Sequence, residues 1–134
     1  MSIDPRWIPP RAIIDLHQRQ IEEHGGLPGM QSQAQLESAL ARAQQIHSYG
    51  GGDIDMATLA AAYAWGIAKN HPFVDGNKRM ALVAIYVFLA LNGYYLDAKE
   101  EDAYLAMMSL ASGAMSEADL IAWVRANSLP AGIG

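Results

Sequence analysis

Apolar residues recur at three- and four-residue spacing along most of this chain, interrupted by glycine, proline and asparagine. That pattern predicts a succession of helices. Pro9 and Pro10 suit the first turn of a helix whose stripe is Ile13, Ile14, His17 and Ile21. Gly25 and Gly26 stop it, and Leu27-Pro28-Gly29-Met30 forms a compact connection. Ser32 with Gln35 resembles a capping box ahead of Leu36, Ala39, Leu40, Ala43 and Ile46. Gly50-Gly51-Gly52 is expected to be the most flexible point.

Asp55 can cap a third, alanine-rich helix that carries Leu59, Tyr63, Gly66 and Ile67 and ends near Asn70. A fourth helix, about 78–92, is apolar on nearly every side, so it is expected to run through the middle of the domain. Asn92-Gly93 supplies its stop. Asp97 with Glu100 is expected to open a fifth helix ending at Gly113, and Ser116 with Asp119 a sixth carrying Leu120, Trp123 and Val124. The pattern gives no strong strand; Tyr94-Tyr95-Leu96 and the stretch around Tyr49 are short extended candidates. The prediction is a single all-α domain over 1–134, with about six helices and a central buried helix.

Composition narrows the chemistry. The 134 residues suffice for one core and not two. The absence of cysteine excludes disulfides, thiolate catalysis and a cysteine-ligated metal. The apolar run at 80–91 is shorter than the roughly 20 residues a membrane span needs. The first residues lack the pattern of a signal peptide, so a cytoplasmic location without membrane attachment is expected. A net charge of −5 argues against direct nucleic-acid binding. Lys69, Lys78 and Arg79 nevertheless form one basic focus, which suits a small anionic ligand.

That focus belongs to the run His71-Pro72-Phe73-Val74-Asp75-Gly76-Asn77-Lys78-Arg79, which leads into the fourth helix. Gly76 permits a turn that points successive N–H groups at an anion, and the helix end adds its positive dipole. Lys78 supplies a point charge and Arg79 a bidentate grip on phosphate, with Asn77 orienting the loop or donating directly. Asp75 is a hard oxygen ligand suited to magnesium. His71 is a candidate general base. A plain N-cap by Asp75 or Asn77, with solvated cations, fits the same residues. Cations in a first turn oppose the dipole, so that arrangement costs stability without an anionic partner. Phe73 is expected to plug the loop into the core. His17 and His24 lie seven apart without a third metal ligand in view, and His47 suits a helix end.

The run from His71 to Arg79 resembles the signature of the Fic/Doc (Fido) superfamily, with every defining position filled. Gly25-Gly26-Leu27-Pro28-Gly29-Met30 is similar to the segment after the first helix of its Doc-type (death-on-curing) members. The superfamily's adenylyltransferases have glycine where this chain has Lys78, and a second arginine where it has Leu82. The resemblance therefore implies the Doc-type chemistry: a toxin kinase transferring the γ-phosphoryl of ATP, with magnesium, to a threonine of elongation factor Tu, so halting translation. It implies His71 as base for the acceptor hydroxyl, Asp75 as magnesium ligand, and Gly76, Asn77, Lys78 and Arg79 as phosphate ligands. Lys69 joins them where the Doc pattern has arginine. Gly76 and Met80 replace an alanine and a threonine of that pattern. A Phd-like antitoxin, laying a helix in an apolar groove, is the implied partner. The inhibitory segment that some Fic enzymes carry is lacking, so an inhibitor is expected from outside the chain. AMP transfer to a protein hydroxyl, or a non-catalytic helical binding module, are the alternatives.

Overall fold

The computed structural model describes residues 4–132. Among these described residues six helices carry the fold: α1 (Pro10–His24), α2 (Gln33–Gly50), α3 (Met56–Asn70), α4 (Asn77–Leu91), α5 (Glu100–Ser112) and α6 (Glu117–Asn127). Two three-residue strands, β1 (Tyr94–Leu96) and β2 (Ser128–Pro130), pair antiparallel with Tyr95 opposite Leu129. The all-α prediction holds. No described helix is long and apolar enough to cross a membrane.

The centre of the bundle is α3, not the fourth helix. It packs against α2, α4, α5 and α6, and Leu59 through Ala64 are wholly buried. Its alanines are small enough for neighbours to approach on several sides. At Gly66 an added Cβ would stand 2.9 Å from the Cα and carbonyl oxygen of Ala39, so α2 and α3 touch there backbone to backbone. The fourth helix buries Met80, Ala81, Ala84, Ile85, Phe88 and Leu89 but leaves Tyr86 and Leu91 exposed. It is apolar all round because its second face lines a cleft, which hydrophobicity alone does not distinguish from burial.

The helix ends follow from side-chain chemistry. Asp55 accepts the Thr58 N–H at 2.9 Å and caps α3. Ser116 and Asp119 form a full capping box at α6. Ser32 supplies only half of one, accepting from the Gln35 N–H at 3.1 Å. Lys99 precedes α5 without a side-chain cap, and the Asp97 N–H instead bonds the Asn127 carbonyl beside the two strands. Tyr49 lies in the last turn of α2, not in an extended piece, since the helix continues to Gly50 and tightens into a 3₁₀ turn at Gly51–Asp53. Before α1, the chain is fastened by paired bonds between the Arg6 backbone and the Asn92 carboxamide, and by the Ile8 N–H on the Tyr63 hydroxyl.

Candidate active site

The loop between α3 and α4 is built by its own side chains. His71 closes α3 in the left-handed conformation (φ 54°), turning the chain sharply out of the helix. Pro72 then takes Gln31 and Ser32 N–H groups on its carbonyl, and the Val74 N–H bonds the Gly29 carbonyl. The glycine-proline connection thus flanks the motif loop as an extended neighbour. Phe73 is buried, stacked on the His17 ring at 3.9 Å between centroids and 9° between planes.

Asn77 organises the loop from within. It is one of two buried polar residues among those described, the other being His17, each 5% exposed. Its Oδ1 accepts the Phe73 N–H at 3.0 Å, and its Nδ2 donates to the Phe73 carbonyl at 2.8 Å. These two bonds fix which end of the carboxamide is which. The same Nδ2 lies 3.2 Å from His71 Nδ1, so that ring nitrogen accepts and the neutral imidazole carries its proton on Nε2. For Nε2 to take a proton from a hydroxyl, the exposed ring must give up the Asn77 contact. Catalytic hydrogen bonds are often long or poorly aligned in a ligand-free site and tighten only when substrate binds.

Neither Asp75 nor Asn77 caps α4. The N-cap is Gly76, left-handed at φ 80°, and no side chain closes the helix end. The first helical bond runs from the Met80 N–H to the Gly76 carbonyl at 2.9 Å. The amides of Asn77, Lys78 and Arg79 are thereby the helix's unsatisfied donors, and Lys78 and Arg79 stand exposed beside them. This is the arrangement that favours an anion, combining oriented N–H groups, the helix dipole and two cations.

Asp75 projects into the same space. Its Oδ2 accepts the Leu27 N–H at 3.0 Å and its Oδ1 the Gly76 N–H at 2.9 Å. The Leu27 amide, then the Gly76 amide, then Arg79 at longer range hold the carboxyl below its ordinary pKa. It is therefore an exposed, ionised carboxylate with a lone pair left on each oxygen, and fits a hard divalent cation. No described cluster of three His, Asp or Glu could hold a metal on protein ligands alone. Magnesium at Asp75 would share its coordination with substrate oxygens and water. Gly26 is needed opposite: its φ is +115°, and an added Cβ would sit 2.9 Å from Asp75 Oδ2.

A cleft of about 900 Å³ contains these groups. His71, Asp75, Gly76, Asn77, Lys78 and Arg79 line it together and form its polar end. Leu82, Val83, Tyr86, Tyr104, Met107 and Met108, from α4 and α5, form an apolar end, and Glu100 of α5 also lines the cleft. Lys69 does not line it; its ammonium lies 4.5 Å over the Trp65 ring on α3. Sequence reasoning missed two participants. Leu27 acts through its backbone, invisible to any residue-type argument. His17 looked like one more position of an amphipathic stripe, yet its Nε2 lies 2.8 Å from the Asp75 carbonyl.

A Fic/DOC family model matches residues 7–89, more than half of the chain and the whole of this loop. The chain belongs to the Fic/DOC family. Within it the chain is Doc-type: it is similar to Protein kinase doc of Escherichia phage P1, with 38% identity over 89 residues, covering 66% of this chain and 69% of that one. It is also similar to Toxin Doc of Mycolicibacterium smegmatis, with 51% identity over 39 residues, or 29% and 30% of the two chains.

Proposed function

We propose that this protein is the toxin of a toxin–antitoxin pair, a kinase that transfers the γ-phosphoryl of ATP to a threonine hydroxyl of elongation factor Tu. The observation that carries the reading is the uncapped start of α4, where Lys78 and Arg79 stand beside free backbone amides and face the cleft holding His71 and Asp75. The names of the two relatives support a kinase and a toxin. Lys78 supports γ-phosphoryl over AMP transfer, because the nest's third member is a cation instead of the adenylyltransferases' glycine.

Phosphoryl transfer demands positioning and charge stabilisation more than covalent chemistry. In this reading the amides of the α4 first turn, Lys78 and Arg79 hold the phosphates and take up equatorial charge. Asp75 holds magnesium, which when bound neutralises the phosphate oxygens. His71 orients the acceptor hydroxyl and takes its proton, a role worth roughly 10²–10⁴-fold. Lys69 lies in the last turn of α3 over the Trp65 ring, and it would reach a phosphate only by leaving that ring. The apolar end of the cleft, with exposed Tyr104 and Met108, supports a Phd-like antitoxin laying a helix between α4 and α5.

The test is transfer of label to elongation factor Tu from γ-³²P-ATP and, separately, from α-³²P-ATP. Label from the γ-position alone, lost in His71→Ala, is expected. Label from the α-position would make the protein an adenylyltransferase. No transfer or nucleotide binding, with toxicity unchanged in His71→Ala, would make it a non-catalytic module.

A further inference from the structure

From the contacts of His17 we infer that it is the positioning residue that sets the phosphate nest. This rests on the phosphate-binding reading above. His17 comes from α1, a helix that contributes nothing to the motif, and touches three parts of the loop. Its ring stacks on Phe73, its Nε2–H donates to the Asp75 carbonyl at 2.8 Å, and it lies beneath Gly76, where an added Cβ would be 3.7 Å from Nε2.

The second contact has the longer reach. The Asp75 carbonyl and the Gly76 N–H belong to one planar peptide and point to opposite sides of it. A peptide leading into glycine can turn over by changing only the Asp75 ψ and the Gly76 φ, and glycine accepts either sign of φ. With the carbonyl drawn toward α1, the N–H faces the Asp75 carboxylate, which it meets at 2.9 Å, and Gly76 stays left-handed at φ 80°. That geometry starts α4 at Asn77 and aims its first amides into the cleft. If the peptide flips, the carbonyl oxygen enters the space meant for an anion, and Asp75 loses one of its two N–H donors. A buried imidazole stacked on a buried ring is stiff enough to prevent it.

His17→Gln and His17→Met test this, because the two side chains have similar length and only glutamine can donate to the Asp75 carbonyl. Uniformly ¹⁵N-labelled protein reports the Gly76 and Leu27 amide resonances, and calorimetry with Mg-ATP reports affinity. His17→Met is expected to shift or broaden both resonances and to weaken Mg-ATP roughly 10–100-fold, the loss that follows from misaligning one charge-assisted hydrogen bond. His17→Gln is expected to restore both towards wild type. Unchanged resonances and affinity in His17→Met would overturn the inference, as would His17→Gln failing to differ from it, since packing alone would then suffice. If His17→Met does not fold, the wild-type His17 Nε2–H decides: a proton protected from solvent exchange supports the inference, and a freely exchanging proton or a proton on Nδ1 overturns it. Failure of wild-type protein to bind Mg-ATP would instead sink the phosphate reading, with the amide comparison still deciding whether His17 sets the loop.

Discussion

The Asn77 carboxamide stands 3.2 Å from His71 Nδ1 while both of its ends are held by the Phe73 backbone. One buried side chain therefore shapes the loop and orients the imidazole, whereas His71 itself is exposed. Asn77→Ala leaves a buried N–H and carbonyl of Phe73 without partners and should destabilise the fold by about 1–3 kcal/mol. His71→Ala should change unfolding free energy by less than about 1 kcal/mol. Denaturant unfolding of the two variants separates them, although both are expected to lose phosphoryl transfer.

The same contact predicts a tautomer. In the free protein the neutral His71 ring should bear its proton on Nε2, visible as a non-protonated Nδ1 in ¹⁵N spectra of the imidazole. Binding of an acceptor hydroxyl should shift the ring towards the other tautomer. A ring with Nδ1 protonated in the free protein would mean that Asn77 does not control it.

Gly66→Ala should destabilise the protein although alanine is the better helix former by about 1 kcal/mol. The new methyl would meet the Ala39 backbone at 2.9 Å, where nothing can yield without separating α2 from α3. A net loss of about 1–3 kcal/mol in denaturant unfolding is expected. A gain in stability would show that the two helices separate freely.

Asp55 joins α3 to α6 and gives the fold an acid dependence. Its bond from Arg125, at 2.7 Å, is the largest cause lowering its pKa from 3.8 to about 2, with Thr58 adding to it. The folded-state value lies below the unfolded one, so the contribution is fully present above pH 3.8 and is lost as pH falls through about 2. The pair is about half exposed, and solvent screening holds its worth to about 1 kcal/mol or less. Asp55→Asn keeps a capping oxygen but should flatten stability between those two pH values, as measured by urea unfolding.

The helices were legible in the sequence because their punctuation is local. Gly25, Asp55, Gly93, Gly113 and the Ser116–Asp119 pair each act on neighbours within a few residues. What escaped depends on distant partners. The central position of α3 rests on alanines whose small size matters only against the helices packed on them, α2, α4, α5 and α6, and the second strand, Ser128–Pro130, is defined only by its pairing with Tyr94–Leu96. At the site, the motif residues announced themselves by type and spacing, and the structure gathers six of the seven around one cleft. The capping choice between Asp75 and Asn77 could not be read, because Asn77 is drawn backwards to Phe73 and Asp75 sideways to Leu27. His17 escaped for the same reason, its partner lying 58 positions along the chain.

The central claim is that the group transferred from ATP is the γ-phosphoryl, and intact-mass spectrometry of elongation factor Tu after incubation with protein and Mg-ATP tests it most directly. The predicted adduct is about 80 Da on one threonine, absent with His71→Ala and absent when magnesium is chelated. An adduct of about 329 Da, the mass of an AMP group, would contradict the account.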